Sequence, residues 1–230
     1  MIKMDKKILF SASMICADFK NLAKVVKALE KEGLDTLHFD FCDGHFAPTL
    51  LFSPIVLKSI RSITNLRFDA HMYCEYPSRY LDELSNAGTD LIIVQVESKE
   101  DYREVISKVI KKGMKAGIGI LPGSEIPENI SDVFPEISLI VANTVGPAYF
   151  GQTFDDRGLE HMKEIKKLVL ENNYDIEIGA DGGVGIQSFE RLFKSGANLL
   201  ICGTTSIFGD GKNPPRELKK LKSYINKYIN

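Results

Sequence analysis

The stretch LHFDFCDGH at positions 37–45 combines an imidazole and a carboxylate at a spacing that can bind a metal ion. Side chains alternate between the two faces of a β-strand, so His38 and Asp40 share one face and two phenylalanines share the other. A histidine and an aspartate two residues apart at the end of a strand can both reach one metal ion. The alternative interpretation is a buried, hydrogen-bonded His–Asp pair, and this stretch alone does not exclude it.

These residues can act together with residues of other strands only in a fold that brings several strand ends close to one another, and the sequence predicts such a fold. Strand-like and helix-like segments alternate along the chain, and most strands are continuous apolar runs, as is typical of parallel strands buried on both faces. The eight predicted strands span 8–14, 36–41, 67–73, 91–97, 115–121, 137–145, 176–181 and 199–204. The predicted helices between and after them include 77–87, 101–112, 127–133, 159–170, 186–195 and 215–228. We therefore expect an α/β protein, a (β/α)8 TIM barrel forming one domain over residues 1–230.

The composition disfavours several classes of protein. Hydrophobic residues make up 44% of the chain, enough for a large core, and the formal net charge of −2 gives no electrostatic basis for binding nucleic acid. No stretch is apolar for long enough to cross a bilayer, and the charged N-terminus is unlike a signal peptide. The cysteines are dispersed without a CxxC pair, which favours reduced thiols in a cytoplasmic protein: Cys16, Cys42, Cys74 and Cys202.

The polar residues at the predicted strand ends are the candidate site, because active sites of this barrel lie at the carboxyl ends of its strands. Two histidines and two aspartates are expected at this rim: His38, Asp40, His71 and Asp181. Such a set suits a divalent transition metal, with zinc favoured and ferrous iron, manganese or cobalt also suited. Ordinary buried hydrogen-bonding residues are the alternative. His45 and His161 are predicted to be surface or packing residues.

The glycine-rich ends of the last two predicted strands form a second candidate site. Asp181-Gly182-Gly183 and Gly203-Thr204 can bring backbone N–H groups to one point, the usual phosphate position in this fold. Glycine allows an anion to approach the main chain closely. Plain turn chemistry is the alternative, because turns also use glycine.

Motifs spread along the chain carry a family resemblance. They are SASMICADF from Ser11, HFDFCDGHFAP from His38, His71-Met72-Tyr73, GPAYFGQTF from Gly146, Asp181-Gly182-Gly183 and Gly203-Thr204. With these motifs the chain resembles the ribulose-phosphate 3-epimerase family over essentially its whole length. The resemblance implies a ribulose-phosphate-binding TIM barrel that epimerises C3 of a phosphorylated ketose with a bound metal ion. It also implies a homo-oligomer, a dimer or a hexamer.

The resemblance assigns roles residue by residue. The positions matching His38, Asp40, His71 and Asp181 bind the metal, and those matching Asp40 and Asp181 are the two acid/base groups. The position matching Ser13 contacts the substrate. The positions that surround the phosphate match Ala148, Tyr149, Phe150, Gly151, Gly182, Gly183, Gly203 and Thr204.

Several departures from the family pattern bear on the substrate. Methionines usually form a lid of low polarity over the reacting carbons, and the matching positions here are Cys42, Tyr73 and Asn143. In the loop after the sixth predicted strand, two glycines of the family have become Ala148 and Phe150, so a changed path is expected. Two further positions also differ: Gln95 stands where histidine is frequent, and Gly179 where Glu or Gln is usual.

The interpretation we favour is that the substrate is D-ribulose 5-phosphate, which is converted to D-xylulose 5-phosphate by two-base proton transfer. One alternative is a hexulose 6-phosphate, as in an allulose 6-phosphate 3-epimerase, since Tyr73 and Asn143 could bind an extra hydroxyl. Another is a sugar-phosphate-binding barrel without catalysis. Related decarboxylases and synthases are disfavoured because they carry an Asp-x-Lys pair where this chain has Asp69-Ala70-His71.

Overall fold

The barrel closes because its first strand pairs with both the second and the last. The computed structural model describes residues 7–147 and 152–229. Its strands are β1 (Leu9–Ser13), β2 (Thr36–Asp43), β3 (Leu50–Leu51), β4 (Arg67–Tyr73), β5 (Leu91–Gln95), β6 (Lys115–Ile120), β7 (Ile137–Asn143), β8 (Glu177–Asp181) and β9 (Leu199–Cys202). All except β3 are parallel and follow one another around the ring, which confirms the predicted TIM barrel.

Helices cover the outside of this ring. They are α1 (Leu22–Lys31), α2 (Pro54–Arg61), α3 (Leu81–Asn86), α4 (Tyr102–Lys111), α5 (Arg157–Glu171), α6 (Ile186–Ser195) and α7 (Pro214–Ile229). The start of α2 follows from its sequence, since Ser53 accepts a hydrogen bond from the Ile55 N–H and Pro54 occupies the first turn. None of the helices in the described ranges is both long and apolar enough to cross a membrane.

Several predicted boundaries were wrong. The helix expected over 77–87 begins as the 3-10 helix Pro77–Tyr80 before α3, and the helix expected over 127–133 is only the 3-10 helix Ile130–Val133. The strands predicted to end at 97, 145 and 204 end at Gln95, Asn143 and Cys202, because the chain there turns onto the rim. The short β3 was not predicted, since two residues carry no periodicity; it pairs antiparallel with the end of β2.

Strand alternation separates two apolar regions. Outward-facing strand residues pack against the helices in one large core, while a smaller cluster fills the barrel interior: Leu9, Leu91, Ile93, Leu139, Val141, Leu199 and Ile201. Below that cluster, Arg67 forms ion pairs with Asp69 and Glu177, both at 2.9 Å. Gln95 and Asn143, two positions beyond Ile93 and Val141 on the same strands, lie above the cluster at the opposite rim.

Candidate metal centre and substrate pocket

Two histidines and two aspartates meet at the carboxyl end of the barrel. Strand pairing places Asp40 of β2 beside His71 of β4, and the period of two points His38 and Asp181 into the same interior. One ligand atom from each of the four residues lies within 4.8 Å of every other. The imidazoles are fully buried, while the side chains of Asp40 and Asp181 are 10% and 16% exposed. The carboxylates therefore border both the histidine pair and the opening above it.

The donor atoms converge in a way that fits a metal ion. His38 Nε2 lies 3.2 Å from both His71 Nδ1 and Asp40 Oδ1, and His71 Nδ1 lies 3.8 Å from Asp181 Oδ2. Asp40 Oδ1 is buried and makes no hydrogen bond to any described residue. Two imidazole nitrogens and two carboxylate oxygens around one point are a donor set that suits a divalent transition metal.

The four clustered side chains have pKa values shifted in different directions, so the two histidines differ from each other and so do the two aspartates. Burial alone would lower the pKa of His38, but the Asp40 carboxylate outweighs it and raises the pKa to about 9. Burial and the charge of His38 lower the pKa of His71 to about 3. Burial and the charge of Asp40 raise the pKa of Asp181 to about 6, whereas His38 holds the pKa of Asp40 below its ordinary value despite burial. The two carboxylates thus differ in proton affinity, as acid/base pairs do.

The two carboxylates accept hydrogen bonds from different side chains. Ser13, at the end of β1, donates its hydroxyl to Asp40 Oδ2 over 3.1 Å. Asp181 Oδ2 accepts hydrogen bonds from the Tyr73 hydroxyl at 3.2 Å and from Asn143 Nδ2 at 3.1 Å. Asp40 thus directs Oδ1 toward His38 and Oδ2 toward Ser13, whereas Asp181 Oδ2 both faces His71 and accepts these two hydrogen bonds.

The predicted lid residues are buried beside this cluster. Cys42 and Tyr73 form a small apolar group with Ala47, and half-buried Phe46 packs on the Tyr73 ring at 5.9 Å. Asn143 Nδ2 also donates to the Tyr73 hydroxyl at 2.7 Å. The polar atoms of Tyr73 and Asn143 are thus engaged with each other and with Asp181, which weakens the argument that they select a larger sugar.

Gln95 also belongs to this array, a role that the sequence did not predict. Its Nε2 donates to Asn143 Oδ1 over 3.2 Å, so it extends the polar chain one strand further around the barrel. Gln95 is fully buried at the end of β5. Its position at a strand end was the available signal, but only the structure shows what it contacts.

Four of the predicted phosphate residues line a cavity that opens above the aspartates. Its walls include Ser13, Asp40, Asp181, Gly182, Gly183, Gly203 and Thr204. Gly182 and Gly183 have φ of +104° and +57°, a left-handed conformation that other residues rarely adopt. A Cβ at Gly182 would also lie 2.5 Å from a Val145 methyl. The glycines therefore serve the path of the main chain, which then leads into α6.

Two features hold the loops around this cavity. Gln152 bonds both the N–H and the carbonyl of Gly146 at 3.0 Å, which ties together the ends of the loop after β7. The predicted phosphate residues Ala148, Tyr149, Phe150 and Gly151 lie outside the described residues. After β9, the Lys212 ammonium donates to the carbonyls of Thr204, Thr205 and Ser206 at 2.8–3.2 Å. A single surface lysine gives no sequence signal for such a contact.

The other two histidines lie apart from the cluster. His45 is exposed beyond the turn that follows β2, and His161 is half-buried on α5. Burial lowers the pKa of His161. Their positions agree with the expectation of surface or packing residues.

Comparison with known proteins identifies relatives along nearly the whole chain. The model of the "Ribulose-phosphate 3 epimerase family" matches residues 9–208. A ribulose-phosphate 3-epimerase of Bacillus subtilis is 33% identical over 213 residues, covering 91% of this chain and 97% of the relative. The cytoplasmic isoform of the same enzyme from Oryza sativa is 34% identical and covers 86% of each chain.

Solved structures show the same fold at lower identity. The KGPDC of Streptococcus mutans aligns with a TM-score of 0.69 at 12% identity, covering 96% of this chain and 99% of its own. A 3-hexulose-6-phosphate synthase aligns with a TM-score of 0.66 at 14% identity, covering 94% and 99%. These two likenesses establish the barrel architecture.

Proposed function

The chain belongs to the ribulose-phosphate 3-epimerase family, whose members are carbohydrate isomerases, and on that premise we propose that it interconverts D-ribulose 5-phosphate and D-xylulose 5-phosphate. The observation that carries the proposal is the pair Asp40 and Asp181, which border one cavity and share a potential metal centre. Curated relatives with this activity in their names span nearly the whole chain.

Inversion at C3 requires a group on each face of a planar intermediate. Asp40 lies on β2 and Asp181 on β8, with β1 and β9 between them in the ring, so the two carboxylates approach the cavity from different sides. One removes the C3 proton, and the other delivers a proton to the opposite face. The roles exchange when the reaction runs in the other direction.

His38, Asp40, His71 and Asp181 would hold the metal ion through the atoms that converge in the cluster. Zinc is proposed, because a mixed imidazole and carboxylate set is a common zinc site; ferrous iron, manganese and cobalt suit the same donors. When bound, the metal acts as a Lewis acid that stabilises the negative charge developing on the substrate oxygens after proton loss.

The residues around the two aspartates prepare them for proton transfer. Ser13 orients Asp40 through Oδ2, and the Tyr73–Asn143 pair orients Asp181 through the oxygen that faces His71. Asp181 Oδ1 takes no part in these contacts, so we assign it the proton transfer at its face.

The phosphate is proposed to bind across the ends of β8 and β9. The left-handed turn at Gly182 and Gly183 precedes α6, whose N-terminus carries partial positive charge. Gly203 and Thr204 border the same cavity. The predicted contributions of residues 148–151 remain part of the proposal.

Exchange of the C3 hydrogen with solvent deuterium tests the proposal directly. Ribulose 5-phosphate is incubated with the protein in D2O and followed by NMR, with and without a chelator and with zinc added back. The expected result is deuterium at C3 together with xylulose 5-phosphate, lost with chelator and restored by zinc. Exchange in a hexulose 6-phosphate alone would reassign the substrate, and no exchange in either sugar would overturn the epimerase assignment.

A further inference from the structure

A hydrogen-bond donor and an acceptor, neither of them bonded within the described ranges, border the same small space beside the candidate metal centre. His71 Nε2 and Gln95 Oε1 are both buried, and neither makes a hydrogen bond to any part of the chain that the structure describes. A Cβ built on Gly119 would lie 2.6 Å from His71 Nε2 and 2.7 Å from Gln95 Oε1. Glycine at position 119 therefore keeps open the space between an imidazole and an amide oxygen.

The direction of every hydrogen bond in this region follows from Asp181. An ionised carboxylate only accepts, so Asn143 must turn its NH2 group toward Asp181 and its oxygen toward Gln95. Gln95 then presents its own NH2 group to Asn143, which leaves Oε1 on the side of His71. His71 faces the other candidate ligands through Nδ1, so its Nε2 carries the proton when Nδ1 binds a metal.

We propose that Gln95 is a positioning residue that orients two of the four candidate metal ligands, accepting a hydrogen bond from His71 Nε2–H and holding Asp181 through Asn143. The inference rests on the proposed metal site. A ligating histidine usually donates its other ring N–H to an acceptor, which fixes its tautomer and orientation. Gln95 supplies that acceptor and, from the same amide, the donor that orders the Asn143 side chain. Asp40 is oriented without it, by the Ser13 hydroxyl.

The test measures metal binding by the full-length chain after metal removal. Gln95→Met keeps the side-chain length and removes both the donor and the acceptor. Cobalt(II) is titrated into each protein and followed by its visible absorption, and a competing chelator of known affinity gives the dissociation constant. The expected result is roughly ten- to hundredfold weaker cobalt binding by Gln95→Met, the effect usual for a lost outer-shell partner.

A matched control separates this role from general packing. Ile93 precedes Gln95 by two residues on β5, faces the same interior and is fully buried, so Ile93→Val perturbs the barrel without touching the polar array. We expect Ile93→Val to bind cobalt like the unmodified protein. Equal losses in Ile93→Val and Gln95→Met would overturn the proposal, because packing alone would then explain both.

Gln95→Glu separates the proposed hydrogen bond with His71 from the hydrogen bond with Asn143. It retains an acceptor for His71 and loses the NH2 group that serves Asn143, so its cobalt affinity should exceed that of Gln95→Met. Nitrogen-15 NMR of the zinc-loaded proteins should show the His71 Nε2–H tautomer in the unmodified protein and in Gln95→Glu. Cobalt affinity in Gln95→Glu as low as in Gln95→Met, or unchanged affinity in Gln95→Met, would contradict the inference. Absence of cobalt binding by the unmodified protein would instead overturn the metal-dependent function.

Discussion

The Tyr73 hydroxyl donates a hydrogen bond to Asp181 Oδ2 over 3.2 Å, and that same oxygen lies 3.8 Å from His71 Nδ1. A residue at a position expected to cover the sugar is therefore bonded to a proposed acid/base group. Asn143 adds a second hydrogen bond to the same oxygen. The polar groups of Tyr73 and Asn143 therefore contact the carboxylate.

Removing the Tyr73 hydroxyl should slow the chemical step more than it weakens substrate binding. A hydrogen bond to a charged group contributes about 1.5–3 kcal/mol, so Tyr73→Phe is expected to lower kcat by roughly ten- to a hundredfold with little change in KM. Phe46→Leu, which alters packing on the Tyr73 ring without touching Asp181, is the control in steady-state assays. Unchanged kcat combined with a new preference between pentulose and hexulose phosphates would place the phenol on the sugar instead.

Both proposed acid/base groups, Asp40 and Asp181, should be required for epimerisation. Asp40→Asn and Asp181→Asn each keep an oxygen for the metal but lose the ability to transfer a proton, so epimerisation should fall by about 10²- to 10⁴-fold. Metal content is measured on the same samples to separate loss of the ion from loss of proton transfer. Near-full activity in either variant, with metal retained, would show that another group acts at that face.

Metal binding should release a proton at neutral pH. The pKa of His38 is about 9, so its imidazole is protonated below that pH and must lose the proton before Nε2 can bind an ion. Affinity should therefore rise with pH up to about 9 and level off above it. Below about 6, Asp181 also gains a proton and the dependence should steepen.

Calorimetry in buffers of different ionisation enthalpy measures this release. About one proton per zinc is expected at about pH 7.5, since metal ligands must be deprotonated to bind. Binding without proton release at that pH would show that His38 is already neutral or does not bind the ion.

Lys212 should affect binding of the substrate phosphate and leave the rate of proton transfer unchanged. Its ammonium holds three carbonyls of the loop after β9, so Lys212→Met should disturb the backbone around Thr204. Loss of about 1 kcal/mol of such interaction corresponds to a roughly fivefold higher KM for the sugar phosphate. The exposed Lys219 on α7 provides the control variant Lys219→Met. A change in kcat at constant KM would contradict this role.

Arg67 should stabilise the barrel from the end opposite the site. It pairs with buried Asp69 and with Glu177, so Arg67→Met leaves an uncompensated charge inside and should cost about 3–5 kcal/mol in urea unfolding. The double variant Arg67→Met/Asp69→Asn should recover part of that loss, because the buried charge is also gone. Additive losses in the double variant would show that the ion pair itself contributes little.

Local patterns in the sequence were sufficient to predict the barrel and the four residues that it brings together as a candidate metal centre. Continuous apolar strands separated by helical segments admit few folds, and the period of two assigns each polar residue to a face. His38, Asp40, His71 and Asp181 could therefore be placed at one rim from their positions in the chain. The turn glycines Gly182 and Gly183 were equally visible, because few other residues adopt their backbone conformation.

The pairing of side chains from different strands depends on the folded barrel and could not be predicted. Whether the Tyr73 phenol faces a sugar or a carboxylate depends on a partner 108 positions away, and no local pattern encodes that contact. The same holds for Gln95, whose neighbours come from β4, β6 and β7 across the barrel interior. Periodicity fixes which face a residue occupies, whereas the closure of the ring fixes which atoms meet on that face.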